Sequence, residues 1–443
     1  MNRKAQMHRH NVIKILVTGA ILLIMGAICT IYPLRPTVSV VEKRNLTPFP
    51  KFSFSTLFNG EFFSGVSAWY SDTLPFRDGL ISANSKIQHL LGTSGASQGF
   101  NENGGGDDIP EGPAVIPVEE NTDEPSSSEA PENTTEPAET TTEEAMIDYE
   151  ALGSVLIAGD AGFEYYNFVQ STADEYIAAV NRAANALAGK ANVYASVIPT
   201  SIGITLNSKV RGQISSSDQE KAINYILGSM NSNVKTVNIY NTMMNHRDEY
   251  IYYRTDHHWT GLGAYYAYTA FCSAKGFTPL ALDKFTKKTF DGFYGTFYAD
   301  SSYDPRLSEP DYVDTYEPPC ELQVFITDSN GYRAECPLIY DESNAPASLK
   351  YGAFIMGDNP LTEIENLSME SGKSCILVKE SFGNAFAPLL PYHYKHVYVI
   401  DYRHYSGNIV SFAEEYGVDD VYFLNNISMT RAASLVSMLS SRI

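Results

Sequence analysis

The chain has 443 residues, 44% of them hydrophobic, with 30 Tyr, 22 Phe and a formal charge of −21. That is enough apolar material for two domains, or for one large domain with additions. The acidic balance excludes nucleic acid as the main partner, because phosphate binding needs a basic surface. The excess is local: residues 101–150 hold 16 Asp and Glu and no Lys or Arg, so the remainder carries −5, the difference between −21 and −16.

At the N-terminus Arg3, Lys4, Arg9 and Lys14 precede an uncharged apolar run from Ile15 to Tyr32. Such a run is about long enough for a hydrocarbon core of roughly 30 Å, and the positive flank stays cytoplasmic. Residues 1–33 are therefore expected to form a cytoplasmic tip and a single-pass transmembrane anchor, with the rest outside the cell. A cleaved signal peptide is the competing reading, but the small-residue cleavage pattern is poor. Ile28 also stands where lipidation of Cys29 would want a small residue. Residues 34–94 read as a juxtamembrane segment that packs on the main domain or stands it off the membrane. Leu80, Ile81, Ile87, Leu90 and Leu91 give part of it helical spacing. Residues 95–147, rich in Ser, Thr, Pro and Glu, have few large apolar side chains and read as a disordered, self-repelling linker; an acidic binding tail is the alternative.

From residue 148 the pattern is α/β. Strands are expected at 155–160, 192–200, 234–240, 351–358, 374–381, 396–401 and 418–424. Helices are expected at 171–190, 216–230 and 257–276, with a loop-rich stretch before residue 351. This alternation predicts a mostly parallel sheet in a three-layer sandwich over 148–443. In such sheets ligands gather beyond the carboxyl ends of strands. Cys320 and Cys336 are candidates for a loop-closing disulfide, Cys272 and Cys375 read as buried thiols, and no Cys/His spacing suggests structural zinc.

The chemistry concentrates in TDHHWTGLGAYYAY, residues 255–268. Asp256 reads as the N-cap of the following helix. An aspartate two residues before a histidine can reach and orient its ring at a turn, which is what a general base needs. Only one of His257 and His258 need play this part. The nucleophile must come from elsewhere, and Ser381, after the apolar strand in CILVKESFGNAFAPLLP, is the best placed. The amides that follow it, aided by Gly383, would receive an oxyanion. Asn384 is a further oxyanion donor or a helix cap, and Asn359 would reach the same edge. Arg403 would hold an anionic group or a substrate oxygen, or else pair with Asp401. Tyr265, Tyr266 and Tyr268 read as a packing face rather than a sugar platform. A metal reading also starts from Asp-His-His, which opens the motif of DHH phosphoesterases, but the further Asp and His ligands of a two-metal site are not recognisable. Adjacent histidines on one helix would also splay by about 100°.

TDHHWT together with KESFGNAFAPLLPYHYKHVYVIDYR resembles the DHHW family of bacterial cell-surface proteins. EKRNLTPFPKF, WYSDTLPFRDGLI, NVYASVIPT, FDGFYGTFY and GAFIMGDNPLTEIEN resemble its other blocks. That family is similar to the SGNH-hydrolase-like domains of alginate O-acetyltransferases, which place Asp-x-His-Trp ahead of a separate serine. The resemblance implies an SGNH-like fold with Asp256 as orienter, His258 as base and Ser381 as nucleophile. It makes Trp259, Asn384 and Arg403 candidates for substrate or oxyanion contacts. SFGN departs from the usual GDS opening of SGNH esterases, which leaves the oxyanion donors open. The implied activity is O-acyl (acetyl) transfer or ester hydrolysis on a cell-envelope polysaccharide. It would need no metal or organic cofactor, and a membrane O-acyltransferase would be the acyl donor. The alternatives are a non-catalytic binding or assembly module of envelope-polysaccharide export and, behind it, a metal-dependent phosphoesterase.

Overall fold

The computed structural model describes residues 35–39, 44–58, 61–75, 106–111 and 145–443. The expected anchor (1–33), the helix around 80–91 and most of the acidic linker lie outside the described residues. Among the described residues no helix is long and apolar enough to cross a membrane. The chain divides into two compact units, residues 1–94 with 302–305, and residues 95–301 with 306–443.

In the first unit a short antiparallel pair, β1 (Val38–Ser39) and β2 (Arg44–Asn45), precedes helices Phe54–Phe58 and Glu61–Asp72. The Asp72 carboxylate accepts both the amide and the hydroxyl of Thr47, at 2.7 and 2.8 Å. The Arg35 guanidinium lies over the Trp69 and Tyr70 rings, 4.1 and 4.6 Å from their centroids. It also donates to Thr73 Oγ1 at 2.8 Å.

The second unit starts with a three-stranded antiparallel meander, β3 (Tyr149–Leu152), β4 (Val155–Ala158) and β5 (Ala161–Glu164). Its main element is an eight-stranded mixed sheet. The sheet is built from β6 (Asn192–Ile198), β7 (Val234–Thr236), β10 (Leu322–Thr327), β11 (Arg333–Glu335), β12 (Leu361–Asn366), β13 (Ser374–Lys379), β14 (His396–Asp401) and β15 (Asp420–Asn426). Their order across the sheet is β11-β10-β12-β14-β13-β15-β6-β7. β8 (Thr286–Phe293) and β9 (Asp311–Glu317) form a separate antiparallel ribbon. The pairings from β14 through β13, β15 and β6 to β7 are all parallel. Every residue of β13 is buried, as its apolar run requires of a central strand covered on both faces. Each fully buried Leu, Ile or Val there contributes about 1.5–3 kcal/mol.

The sheet differs from the sequence expectation in instructive places. β10, β11 and β12 pair antiparallel, so the sheet is mixed. The segment 322–335 lacks a strand signal in the sequence because β10 is partly exposed along most of its length and β11 is a three-residue edge strand. Residues 155–158 belong to the small meander rather than the main sheet. The expected strand at 351–358 is a 3₁₀ turn, Ala347–Ala353, followed by left-handed backbone at Ile355, Met356 and Gly357, with φ of 49°, 57° and 78°. That run cannot be extended, and each non-glycine left-handed residue costs roughly 1–2 kcal/mol. Asn359 offsets some of this cost by donating its side-chain amide to the carbonyls of Ile355 and Met356, at 3.2 and 3.3 Å. It therefore braces a turn, where an active-edge position had been expected. Cys320 and Cys336 are free thiols.

Candidate active site

The motif helix is Gly261–Lys275, and its N-cap is Thr260, whose hydroxyl accepts the Gly263 amide at 3.2 Å. Asp256 is therefore not a helix cap. It lies in the preceding turn, closed by the Tyr252–Trp259 bridge and by the Tyr253 amide donating to the His258 carbonyl at 3.2 Å. The turn is held from outside by Asp311, whose carboxylate accepts the Thr255 amide at 2.8 Å and its hydroxyl at 2.6 Å. Gly276, at φ 77°, ends the helix as the sequence suggests. Tyr265 and Tyr268 are buried as packing residues.

Freed from a capping role, the Asp256 carboxylate turns on His258. Oδ1 accepts the His258 amide at 3.0 Å and its ring Nδ1 at 2.5 Å. Oδ2 accepts the Thr296 amide at 3.0 Å. Both residues are buried. Gly295 makes this packing possible, because a Cβ there would lie 2.1 Å from Asp256 Cβ. The His258 ring stacks on Tyr351, with centroids 4.1 Å apart and planes 16° apart. Tyr351 in turn donates its hydroxyl to the Ser381 carbonyl at 3.0 Å. The other ring nitrogen, Nε2, lies 2.7 Å from Ser381 Oγ. Asp256, His258 and Ser381 thus form one continuous hydrogen-bonded chain, although His258 and Ser381 stand 123 positions apart in the sequence.

Ser381 follows the carboxyl end of β13, as expected, but the amides behind it are not an oxyanion pocket. The Phe382 amide donates to Glu380 Oε2 at 3.1 Å, Gly383 to the Glu380 carbonyl at 2.9 Å, and Asn384 to the Ser381 carbonyl at 3.1 Å. The Ser381 amide, by contrast, makes no hydrogen bond among the described residues. Glu380, which the sequence reading passed over, is buried and also accepts the Asn426 amide at 2.7 Å. Burial raises its pKa, although Arg403 and the two amides pull the other way. Gly383 is required by close approach: a Cβ would lie 2.4 Å from Lys379 Cβ.

The remaining candidates take supporting positions. Trp259 is wholly buried and donates its indole N–H to the Phe382 carbonyl at 2.9 Å, so it fixes the serine loop and is not available to substrate. Asn384 is buried too, donating to Asp358 Oδ1 at 2.8 Å. This commits one of its two side-chain N–H donors to Asp358, and its Oδ1 has no hydrogen-bond partner. Arg403 grips Asp401 in bidentate fashion, at 2.9 and 2.6 Å, and reaches Asp358 at 2.9 Å. The buried Lys379 ammonium completes the cluster, 2.9 Å from Asp401 and 3.4 Å from Asp358. Burial pushes the pKa of Asp358 up, but Lys379, Arg403 and the Asn384 hydrogen bond outweigh it and hold it well below the usual carboxylate range. Asp401 is lowered in the same way, with Lys379 and Arg403 overcoming its burial. No sequence pattern announced Asp358 or Lys379, because their partners are distant in the chain.

His257 and His258 do not splay as they would on a helix; in the turn their rings lie 3.9 Å apart. Asp256, His257 and His258 therefore bring three potential ligand atoms within 4.8 Å of one another. Both ring nitrogens of His258 are engaged, however, and an ion would have to displace Asp256 or Ser381 from one of them. His257 bonds Thr296 Oγ1 through Nδ1 at 2.8 Å.

The sequence model of one family, described as DHHW protein, matches residues 42–123 and 121–400. Among solved structures, a DHHW family protein from Eubacterium siraeum superposes with a TM-score of 0.60 and 27% identity, covering 66% of this chain and 97% of that one. Bacillus cereus PatB1, in a structure with a sulfonyl adduct, gives a TM-score of 0.53 at 19% identity over 62% of this chain and 97% of its own. The O-acetyltransferase domain of Pseudomonas putida AlgJ is a weaker likeness, with a TM-score of 0.34 and 11% identity over 66% and 99%. No curated protein matches the chain significantly.

Proposed function

The chain belongs to the DHHW family, and from that membership and its hydrogen-bonded triad we propose an SGNH-like O-acyltransferase or esterase, arranged as a three-layer sandwich. It is anchored by residues 15–32, faces the outside of the cell and acts on O-acetyl groups of a cell-envelope polysaccharide. The observation that carries the reading is the Asp256–His258–Ser381 chain, which ends at a half-buried hydroxyl. His258 Nε2 takes the Ser381 proton as Oγ attacks the acyl carbon, and Asp256 holds the ring and stabilises the imidazolium that forms. The unengaged Ser381 amide is the oxyanion donor, since the next three amides are committed elsewhere. The His258 imidazolium then returns its proton to the leaving oxygen. The acyl group passes from Ser381 to a sugar hydroxyl, or to water. A membrane O-acyltransferase that supplies the acyl group is part of this proposal.

The full-length chain in detergent should release 4-nitrophenol from 4-nitrophenyl acetate, and Ser381→Ala or His258→Ala should reduce that release by about 10³-fold or more. Ordinary turnover by Ser381→Ala would remove Ser381 from the mechanism.

A further inference from the structure

We propose that the groove between His257 and Arg431 is a subsite for an uncharged sugar unit of the acyl acceptor; this rests on reading Ser381 as the acyl carrier. The groove has a volume of about 360 Å³ and is lined chiefly by Glu164, Tyr165, His257, Phe297, Asp300 and Arg431. That volume is in the lower part of the roughly 300–1,000 Å³ range of small-molecule sites.

Its inner wall belongs to the triad's own support. Thr296, which also lines it, donates its amide to Asp256 and bonds His257. The His257 ring lies 3.9 Å from His258 and 5.9 Å from Phe382, the residue after the serine. The outer wall comes from the same sheet edge. β15 runs parallel to β13, so the turn Met429–Arg431 beyond β15 leaves on the side from which Ser381 leaves β13. A unit seated in the groove is therefore one imidazole ring away from the triad, so a neighbouring unit of the same acceptor chain can bring its hydroxyl to the acyl-bearing residue.

The lining also defines the chemistry of the occupant. Arg431 is half-buried and makes no hydrogen bond or ion pair among the described residues, so its donors are available. Glu164 bonds Ser428 through one oxygen only. Sugar hydroxyls both donate and accept, so they can satisfy a carboxylate and a guanidinium together, while Tyr165 and Phe297 offer flat apolar surface to the sugar's C–H faces. Glu164 and Asp300 bring carboxylates to the lining beside the Arg431 guanidinium, which disfavours a uronate or a phosphorylated unit. His257, the histidine that the Asp256–His258–Ser381 chain does not use, becomes a wall between the triad and this subsite.

The test is calorimetric titration of the full-length Ser381→Ala chain in detergent with cellotetraose and chitotetraose as neutral probes and tetragalacturonate as the anionic one. Saturable binding of a neutral tetrasaccharide, at least about ten-fold tighter than tetragalacturonate, is expected. Arg431→Gln should weaken it by a further factor of about ten at an unchanged melting temperature, and Asp300→Asn, at an exposed position, should weaken it less. Preference for tetragalacturonate, equal binding by both variants, or no binding of any probe by folded protein would overturn the subsite. Labelling of Ser381 in the parent chain by a sulfonyl reagent reports on the catalytic reading separately, so either idea can fail alone.

Discussion

Two acid–base constellations stand behind the carboxyl end of β13, and they are finished differently. One runs Asp256–His258–Ser381 and ends at a hydroxyl that solvent can reach. The other, Asp358–Lys379–Asp401–Arg403, closes on itself, each carboxylate held between a lysine and an arginine. The first has a proton to pass along and a place to pass it. The second holds its charges in fixed pairs, and its role is to seat the strand end and, through Asn384, the serine loop. On the proposed function, the first cluster serves reaction and the second positioning.

The sharpest way to test that division is to alter each cluster and read both activity and stability. Asp256→Asn should lower ester turnover by about 10³–10⁴-fold, because the amide no longer holds the ring in the productive tautomer. Its melting temperature should change far less than the activity does. Lys379→Met should do the reverse. It leaves Asp358 and Asp401 short of a cation in a buried setting and should destabilise the fold by about 3–5 kcal/mol in chemical denaturation. A Lys379→Met chain as stable as its parent would show that the closed cluster is not structural. Gly295→Ala tests the packing under the first cluster: the added methyl collides with Asp256, so both readouts should fall, with a stability loss of about 1–3 kcal/mol.

The smallest effects are pH-dependent. Asp358 and Asp401 titrate below their ordinary value of 3.8 in the folded chain. Their contribution is complete above that value and is lost as pH falls through the lowered ones, so unfolding below about pH 4 should weaken in Lys379→Met. His393 gives a second, milder window. Burial lowers its pKa from 6.5 to about 4, with Phe277 stacked on the ring and Tyr268 bonded to it. Its share of stability is complete above 6.5 and declines as pH falls toward 4. After allowance for its partial exposure this share is about 1–2 kcal/mol, and His393→Phe should flatten that part of the melting curve.

Much of this was legible in the chain, and the exceptions have physical causes. β6, β13 and β14 are long apolar runs with few alternatives, and Ser381 at the end of one of them stood out. Turn geometry lets Asp256 reach a histidine two residues on, the resemblance selects His258, and the two lie 2.5 Å apart. What failed was whatever depends on distant pairing. The antiparallel strands β10 and β11 carry mixed, partly exposed side chains, and the run at 351–358 is apolar yet left-handed. The family resemblance makes Trp259 a candidate for substrate or oxyanion contact; its indole N–H instead meets a backbone carbonyl 123 residues away. Arg431 carried no signal at all, since it reaches the groove beside His257 only through the register of β15 beside β13.

The central claim is that Ser381 is a nucleophile activated by His258. Incubation of the full-length chain with a sulfonyl fluoride, followed by peptide mass spectrometry, tests it most directly. The account predicts one adduct, on Ser381, formed much more slowly in Asp256→Asn and absent in His258→Ala over the same interval. Labelling of Ser381 at the same rate in His258→Ala, or an adduct elsewhere with Ser381 untouched, would contradict it.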